Sequence, residues 1–114
     1  MDGSDEIILW KAPRRGRDAA GEIQDGFDPR AYPGLGAFFA RNRSIAEVFE
    51  AAYDNGLQEI YIARNFLEEL IDRGVVLRDP YYPEEESYHV PPDGLPEFNA
   101  AIKQGTPNKY HPKK

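Results

Sequence analysis

The sequence contains no cysteine, which excludes disulfide frameworks and thiolate zinc sites. The composition therefore does not indicate whether the protein works in a reducing or an oxidising compartment. No segment approaches the roughly 20 consecutive apolar residues that span a bilayer. Residues 1–6 are acidic, whereas a signal peptide begins with a basic region that leads into an apolar one. We therefore expect neither a signal peptide nor a membrane segment.

Several common catalytic motifs are also missing. The chain has no Gly-rich phosphate loop, which argues against nucleotide kinases and GTPases, and no His-x-x-x-His pair for a helix-borne zinc site. The absence of cysteine and of a Gly-x-Ser-x-Gly elbow leaves acyl-enzyme chemistry without support. A net charge of −6 disfavours non-specific binding to nucleic acids, which draws its affinity from Lys and Arg. Two local basic clusters remain, Arg14, Arg15 and Arg17 near the start and Lys109, Lys113 and Lys114 near the end.

What is present indicates one folded domain. The chain has 114 residues, 40% of them hydrophobic and 30% charged, which is far from the composition of disordered chains. This length supports one hydrophobic core. We expect a single monomeric domain over residues 1–114, with a polar tail over residues 103–114.

The pattern of apolar residues predicts alternating strands and helices. Residues 17–35 show no periodicity and contain several Gly and Pro residues, so they are predicted as a long loop, with a short helix over Asp18–Ile23 as the alternative. The irregular alternation favours an α+β fold over a doubly wound parallel sheet. The predicted strands are Glu6–Ala12, Ala37–Ala40, Leu57–Ala63 and Ser87–Val90, and the predicted helices are residues 44–55, Phe66–Arg73 and Leu95–Lys103.

Capping residues set the predicted helix boundaries. Ser44, with Glu47 three residues later, predicts a capping box for the first helix, and Gly56 ends it. Asn65 is the predicted N-cap of the second helix, which ends at Gly74. The apolar stripe predicted for the first helix consists of Ile45, Val48, Phe49 and Ala52.

One stretch carries a more specific signal. Gly36-Ala37-Phe38-Phe39-Ala40, followed by a polar pair and a helix with Ser44, Ala46, Phe49 and Tyr53, resembles the Gly-x-Tyr-Phe-Ala strand and following helix of one class of ADP-ribosyltransferases. This class includes diphtheria toxin and the poly(ADP-ribose) polymerases. The resemblance covers about 20 residues. It implies a small split mixed sheet with two to four helices, and NAD as the substrate.

The resemblance also implies roles for individual residues. Phe38 and Phe49, with Tyr53 as a second candidate, would hold the nicotinamide ring between two aromatic faces. Lys11 takes the position of the family's His or Arg, with Arg14 or Arg15 as the alternative. The full set of implied NAD-binding residues is Trp10, Lys11, Ala12, Arg14, Gly36, Phe38, Phe39, Ala40, Phe49 and Tyr53. No metal is implied.

A glutamate at the start of a late strand completes the implied site. The family uses such a carboxylate to stabilise positive charge on the sugar as nicotinamide leaves, an electrostatic effect that is usually the largest catalytic contribution. Glu84, Glu85 and Glu86 directly precede the strand Ser87–Val90. The implied catalytic residue is Glu86, then Glu84, together with Lys11.

The small size and the polar C-terminal segment also resemble toxin modules that bacteria attach to large secreted delivery proteins. This likeness implies a secreted or injected domain that acts in the cytoplasm of a competitor cell and is neutralised by a cognate immunity protein. The acceptor of ADP-ribose would be a protein or a structured RNA. Simple hydrolysis of NAD stays open.

Two other functions remain open from the sequence. A binding module could dock a basic partner on an acidic surface, with affinity that salt would screen. A ribonuclease could use His89, His111 and a lysine. The acidic side chains considered for the binding module are Glu47, Glu50, Glu68, Glu69 and Asp72.

Overall fold

A computed structural model describes residues 5–113 of the chain. These residues form an α+β domain with six strands and four α-helices. The strands are β1 (Glu6–Lys11), β2 (Ala37–Ala40), β3 (Leu57–Ala63), β4 (Leu77–Arg78), β5 (Ser87–Val90) and β6 (Lys109–His111). The helices are α1 (Ala19–Asp25), α2 (Arg43–Tyr53), α3 (Arg64–Asp72) and α4 (Leu95–Ala101). The predicted fold class and the four longer predicted strands are confirmed, with bounds that agree within one residue.

The strands form one sheet in the order β4-β5-β2-β1-β3-β6. Every described pairing is antiparallel, so the expectation of a mixed sheet is wrong. β1 pairs with β3 along its whole length, from Glu6 opposite Ala63 to Lys11 opposite Gln58. In contrast, β1 and β2 are in register only at Trp10 and Ala40. β1 and β2 are therefore not paired with each other beyond Trp10 and Ala40, and their ends diverge.

One face of the sheet carries the main hydrophobic core. Leu9, Phe39, Ile60 and Val90 project from four strands to this face, since alternate residues of a strand point to the same side. Helices α1, α3 and α4 and the 3-10 turn Pro29–Ala31 lie on this side and contribute the remaining core residues. The buried side chains from helices α3 and α4 and from the residues that flank the 3-10 turn are Phe27, Tyr32, Leu67, Leu70, Leu95 and Phe98.

Helix α2 packs on the opposite face of the sheet. Its buried residue is Ala46, which packs with Ala12, Leu57 and the half-buried ring of Trp10. The predicted apolar stripe is therefore wrong in part, because Val48 is 64% exposed. Narrow contact through Ala46 leaves one side of α2 separated from β2, and this separation creates the cleft described below.

The helix caps differ from the predicted ones. Asn42, not Ser44, is the N-cap of α2, and its side chain accepts a hydrogen bond from the Ser44 N–H at 3.0 Å. Asparagine is as effective an N-cap as serine, and here it comes first along the chain. Helix α3 begins at Arg64 after Ala63, with no side-chain cap, so Asn65 lies inside the helix and does not cap it.

The long predicted loop contains regular structure. Helix α1 occupies Ala19–Asp25, with Asp18 as its N-cap, so the alternative of a short helix is correct. Gly21 interrupts the helical pattern in the sequence, which explains why a loop was predicted. The end of this segment is fixed to α4, because the side-chain amide of Asn99 both accepts from and donates to the backbone of Phe27 at 2.9 Å.

The predicted polar tail is also partly ordered. Residues Lys109–His111 form β6 and pair with Leu57–Glu59 at the edge of the sheet. Asn108 precedes this strand and accepts a hydrogen bond from the Tyr61 N–H at 2.8 Å. The short run Lys-Tyr-His has little apolar character, so its pairing depends on tertiary contacts that the local pattern does not encode.

Candidate functional site

A cleft of about 960 Å³ opens where β1 and β2 part, between helix α2 and the sheet. Its volume lies in the range typical of small-molecule sites. Four segments line it: the end of β1 and the loop that follows, the 3-10 turn before β2 with β2 itself, helix α2, and the loop between β4 and β5. All the residues that the sequence predicted as NAD-binding line this cleft, namely Trp10, Lys11, Ala12, Arg14, Gly36, Phe38, Phe39, Ala40, Phe49 and Tyr53.

Aromatic rings cover two sides of the cleft. The ring of Phe38 lies 5.5 Å from that of His89, in a stacked arrangement, and 6.2 Å from that of Tyr81. The ring of Phe49 lies 5.9 Å from that of Tyr53 and meets Tyr82 edge-on at 6.3 Å. The consecutive residues Tyr81 and Tyr82 thus contact Phe38 and Phe49 respectively. Neither phenylalanine is sealed in the core, since Phe38 is half-buried and Phe49 is 37% exposed.

Another part of the cleft lining is cationic, and we call it the cationic wall. Lys11 Nζ lies 4.9 Å from the centre of the Tyr32 ring, and the Arg17 guanidinium lies 4.3 Å from the same centre. The Arg14 guanidinium lies 5.3 Å from the Tyr53 ring. These three cations line the cleft of a protein whose net charge is −6. The cleft therefore concentrates the positive charge that an anionic ligand needs.

A partly buried glutamate, Glu22, connects several of these residues. Glu22 accepts a hydrogen bond from the Tyr32 hydroxyl at 2.6 Å and from the Gln58 side-chain amide at 3.0 Å, and it lies 3.7 Å from Arg17. Burial and the hydrogen bond to Glu22 raise the pKa of Tyr32 above its usual range. Tyr32 is therefore a neutral aromatic surface for the cations at physiological pH.

The protonation of Lys11 depends on its burial. It is the last residue of β1, and its side chain is buried. Burial lowers the pKa of Lys11 to about 8, with Glu22 opposing this shift and Arg17 and Arg14 adding to it. Lys11 therefore carries most of its charge at pH 7 and loses it in mildly alkaline solution.

Two polar side chains line the cleft where β4 and β5 meet, Asp79 after β4 and Ser87 at the start of β5. Asp79 is 6% exposed and Ser87 is 1% exposed, and both line the cleft. The Asp79 carboxylate accepts a hydrogen bond from the Tyr81 N–H at 2.8 Å. The Ser87 hydroxyl has no hydrogen-bond partner among the described residues. An unsatisfied buried hydroxyl is uncommon in a folded protein and requires an explanation.

The predicted catalytic glutamates lie outside this cleft. Glu86 immediately precedes β5, and the alternation along a strand directs it away from the side on which Ser87 lies. Its carboxylate forms a half-exposed ion pair with Arg41 at 3.4 Å. Glu84 is exposed in the turn before it and does not line the cleft. Of the predicted catalytic residues, Lys11 alone is among the cleft-lining residues.

The backbone at Gly36 depends on glycine. Its φ is +90°, and an added Cβ would lie 1.8 Å from the carbonyl oxygen of Val90. This close approach of the chain to the end of β5 sets the position from which β2, and with it Phe38, begins.

Sequence reasoning missed several cleft residues. Arg17, Tyr32, Asp79, Tyr81, Tyr82 and Ser87 were not predicted as part of a site. Asp79 is followed by Pro80, and this dipeptide indicates only a turn. The alternation of Ser87 and His89 with the core residues Tyr88 and Val90 was the available signal for the cleft-facing side of β5.

The two histidines lie on different strands. His89 is on β5 and His111 is on β6, four positions apart in the sheet, or about 19 Å at the usual strand spacing. His89 contacts the Leu35 carbonyl oxygen at 2.7 Å, whereas His111 contacts Glu59 at 2.7 Å. The pair required for the ribonuclease hypothesis is therefore not assembled in this arrangement.

The acidic side chains considered for a binding module are also dispersed. Glu47 and Glu50 lie on α2 and the others lie on α3, and these helices pack on opposite faces of the sheet. Local cations neutralise part of this charge, since Glu47 pairs with Arg43 at 3.2 Å and Glu50 with Lys113 at 2.9 Å. These residues do not form one continuous acidic surface.

Within residues 5–113, no three or more His, Cys, Asp or Glu side chains are arranged to hold a metal ion. In the same range, none of the helices has the length and apolar character required to cross a membrane. Comparison with protein-family models, with curated protein sequences and with solved structures finds no match to this chain.

Proposed function

We propose that this domain is an NAD-dependent mono-ADP-ribosyltransferase that binds NAD in the cleft between β1 and β2. The observation that carries the proposal is the convergence of Trp10, Lys11, Phe38, Phe49 and the other predicted NAD-binding residues on this cleft. Those residues come from three separate segments of the chain. Core packing alone would not require them to line a common cleft.

The two walls of the cleft suit the two chemically different parts of NAD. Lys11, Arg14 and Arg17 provide positive charge for the pyrophosphate, and the arginines also offer planar, multiple donors for phosphate oxygens. Phe38 and Phe49, with Tyr81 and Tyr82, provide flat apolar surfaces for the nicotinamide ring. A single ligand with an anionic centre and an aromatic end satisfies both walls.

The reaction consists of one substitution at the nicotinamide ribose. The bond between the ribose C1 carbon and the nicotinamide nitrogen breaks, and its electron pair neutralises the pyridinium ring. The acceptor nucleophile forms a new bond to C1 and loses its proton to solvent or to a nearby base. Positive charge develops on the sugar as the leaving bond lengthens, and a fixed carboxylate stabilises it. Asp79 is the cleft-lining carboxylate in a position to do so.

The proposal extends to the biological setting implied by the sequence. The domain acts as a toxin of a secreted or injected delivery protein, reaches the cytoplasm of a competitor cell and modifies a protein or a structured RNA. A cognate immunity protein blocks it. Exposed apolar side chains at the cleft, Leu35 at 43% and Tyr81 at 69% exposure, are a suitable contact surface for such macromolecular partners.

Incubation of the purified domain with NAD tests this function. We expect release of free nicotinamide, detected by chromatography, and a higher melting temperature in the presence of NAD. Heat-denatured protein is the control for spontaneous hydrolysis. An absence of both nicotinamide release and stabilisation, with or without cell extract as a source of acceptor, would refute the proposal.

Two carboxylate variants test whether the catalytic carboxylate lies in the cleft or in the acidic turn before β5. Asp79→Asn removes a charge inside the cleft, whereas Glu86→Gln removes one outside it. We expect Asp79→Asn to reduce nicotinamide release about 100-fold or more, the scale found for single stabilising groups in active sites. Glu86→Gln is expected to retain release within about two-fold, because exposed ion pairs contribute little to stability.

A further inference from the structure

Asp79 is a buried carboxylate without a cationic partner. It is 6% exposed, and within residues 5–113 no Lys, Arg or His nitrogen lies within 4.0 Å of its oxygens. Its hydrogen-bond donor, the Tyr81 N–H, is a neutral group and does not take the place of a cationic partner. Buried charges are normally paired, because desolvation of an isolated ion is strongly unfavourable. The unpaired carboxylate therefore indicates a positively charged ligand group.

The rings beside Asp79 are suited to the same charge. Tyr81 follows Asp79 by two residues, and its ring lies 6.2 Å from that of Phe38. Both rings line the cleft and present the electron-rich faces that attract cations. A carboxylate next to aromatic rings binds a flat cation more tightly than a neutral ring of the same shape. The positive charge of the cation interacts favourably with the carboxylate and with the aromatic faces.

Ser87 provides a second, independent indication of a ligand here. Ser87 lines the cleft, and its buried hydroxyl has no hydrogen-bond partner among the described residues. The Asp79 N–H donates to the Ser87 carbonyl oxygen at 2.9 Å, so the two residues are held side by side. A ligand amide or hydroxyl group next to its cationic ring would satisfy the Ser87 hydroxyl.

From these contacts we infer that Phe38, Asp79, Tyr81 and Ser87 form a subsite for an N-substituted pyridinium cation bearing a hydrogen-bonding substituent. The inference rests on the proposed function and deepens it. Oxidised nicotinamide carries a positive ring charge, whereas the ring of the reduced dinucleotide is neutral. Asp79 is therefore the residue that makes the domain specific for the oxidised dinucleotide, and Ser87 holds the carboxamide.

The test uses ring fragments that the enzyme cannot cleave. NMR titration compares 1-methylnicotinamide, which is a cation, with nicotinamide, which is neutral, on the full domain. We expect the cation to bind about 10-fold more tightly to the unaltered protein. In Asp79→Asn this preference should fall to within about two-fold, because the amide keeps the shape of the side chain and an acceptor for Tyr81 but has no charge.

Two controls keep the result interpretable. Asp72→Asn removes one negative charge from the exposed surface of α3 and should leave the 10-fold preference intact. Ser87→Ala should weaken the binding of both fragments by a similar factor, about 5-fold. The preference for the cationic fragment over the neutral one should persist. Amide spectra of each variant report whether the fold is retained.

The experiments distinguish failure of the subsite from failure of the proposed function. Equal binding of the two fragments to the unaltered protein, or an unchanged preference in Asp79→Asn, overturns the subsite even if NAD is cleaved. A cation preference that depends on Asp79 supports the subsite, whether or not nicotinamide is released. An absence of binding by either fragment overturns it.

Discussion

The backbone N–H of Asp79 donates a hydrogen bond to the carbonyl oxygen of Ser87 at 2.9 Å. This bond fixes a buried carboxylate beside the first residue of β5, on the side of the sheet that forms the cleft. The three glutamates that precede β5 in the sequence occupy the intervening turn, and Glu86 pairs with Arg41 on the surface. The acidic group of the cleft thus comes from the residue that follows β4, not from the acidic run before β5.

Arg14 and Arg15 offer a matched test of the cationic wall. Arg14 lines the cleft, whereas its neighbour Arg15 is exposed and does not. We expect Arg14→Ala to weaken binding of ADP-ribose about 10-fold, since a hydrogen bond to a charged group contributes about 1.5–3 kcal/mol. Arg15→Ala should change the affinity less than about two-fold. Calorimetric titration of both variants measures this difference, and equal effects would contradict the assignment of the wall.

Phe49 and Phe66 test the aromatic wall. Both phenylalanines lie on helices and both are 37% exposed, but Phe49 lines the cleft and Phe66 does not. Phe49→Ala should weaken NAD binding about 3- to 10-fold, the loss of one aromatic stacking contact. Phe66→Ala should leave the affinity unchanged and report any general effect of deleting an exposed ring. Similar affinities for the two variants would be inconsistent with stacking on Phe49.

Lys11 predicts a specific dependence of stability on pH. Burial lowers the pKa of Lys11 from 10.5 to about 8 in the folded protein. Between pH 8 and 10 the unfolded chain therefore binds a proton that the folded chain does not, and the free energy of unfolding rises with pH. The contribution is about 2 kcal/mol over these two pH units.

Chemical denaturation at several pH values measures this effect, with Lys11→Met as the comparison. The variant lacks the buried amine, so its free energy of unfolding should rise less steeply between pH 8 and 10. Above pH 10 the raised pKa of Tyr32 opposes the trend, because the unfolded tyrosine ionises first. A parallel pH dependence in the two proteins would show that Lys11 is not responsible.

Substitutions at Gly36 and Gly34 distinguish the cost of steric overlap from the cost of backbone strain. Both have positive φ values, +90° and +70°, but an added Cβ at Gly34 meets no atom within 4 Å, whereas one at Gly36 meets the Val90 carbonyl oxygen at 1.8 Å. Gly34→Ala should cost about 1 kcal/mol of stability from the left-handed conformation. Gly36→Ala should cost on the order of 4 kcal/mol, because the backbone of β2 or β5 must move. Thermal unfolding of both variants checks this order, and equal losses would contradict the close approach.

Strands β1, β2 and β3 were predictable because each is a largely apolar run with clear boundaries. Leu57–Ala63 was predicted with the bounds that the structure has, and Ala37–Ala40 likewise. Helix α1 was given only as an alternative because Gly21 and the polar residues around it weaken the local pattern. Strand β6 was missed because its pairing with β3 is set by the fold and not by its own residues.

The residues of the candidate site likewise fall into those that the sequence predicted and those that it did not. Phe38 and Phe49 were identified through the resemblance of this strand and helix to those of ADP-ribosyltransferases, and both line the cleft. Asp79 and Arg17 were not, since neither lies in a segment with a distinctive motif. Their positions depend on how the β4–β5 turn and the loop after β1 fold back on the sheet, which is a matter of tertiary structure. The prediction for Glu86 came from its proximity in sequence to β5, whereas the alternation of side chains decides which face of the sheet a residue occupies.

Trp10 permits the most direct measurement on the cleft itself. It is the single tryptophan of the chain, is half-buried and lines the cleft beside Lys11. Titration with NAD, with fluorescence excited on the red edge of the indole band, reports occupation of the cleft without a label. The account predicts a saturable change in Trp10 fluorescence that ADP-ribose competes for and that Arg14→Ala shifts to higher NAD concentration. Fluorescence that stays constant up to millimolar NAD would contradict the assignment of the cleft as the NAD site.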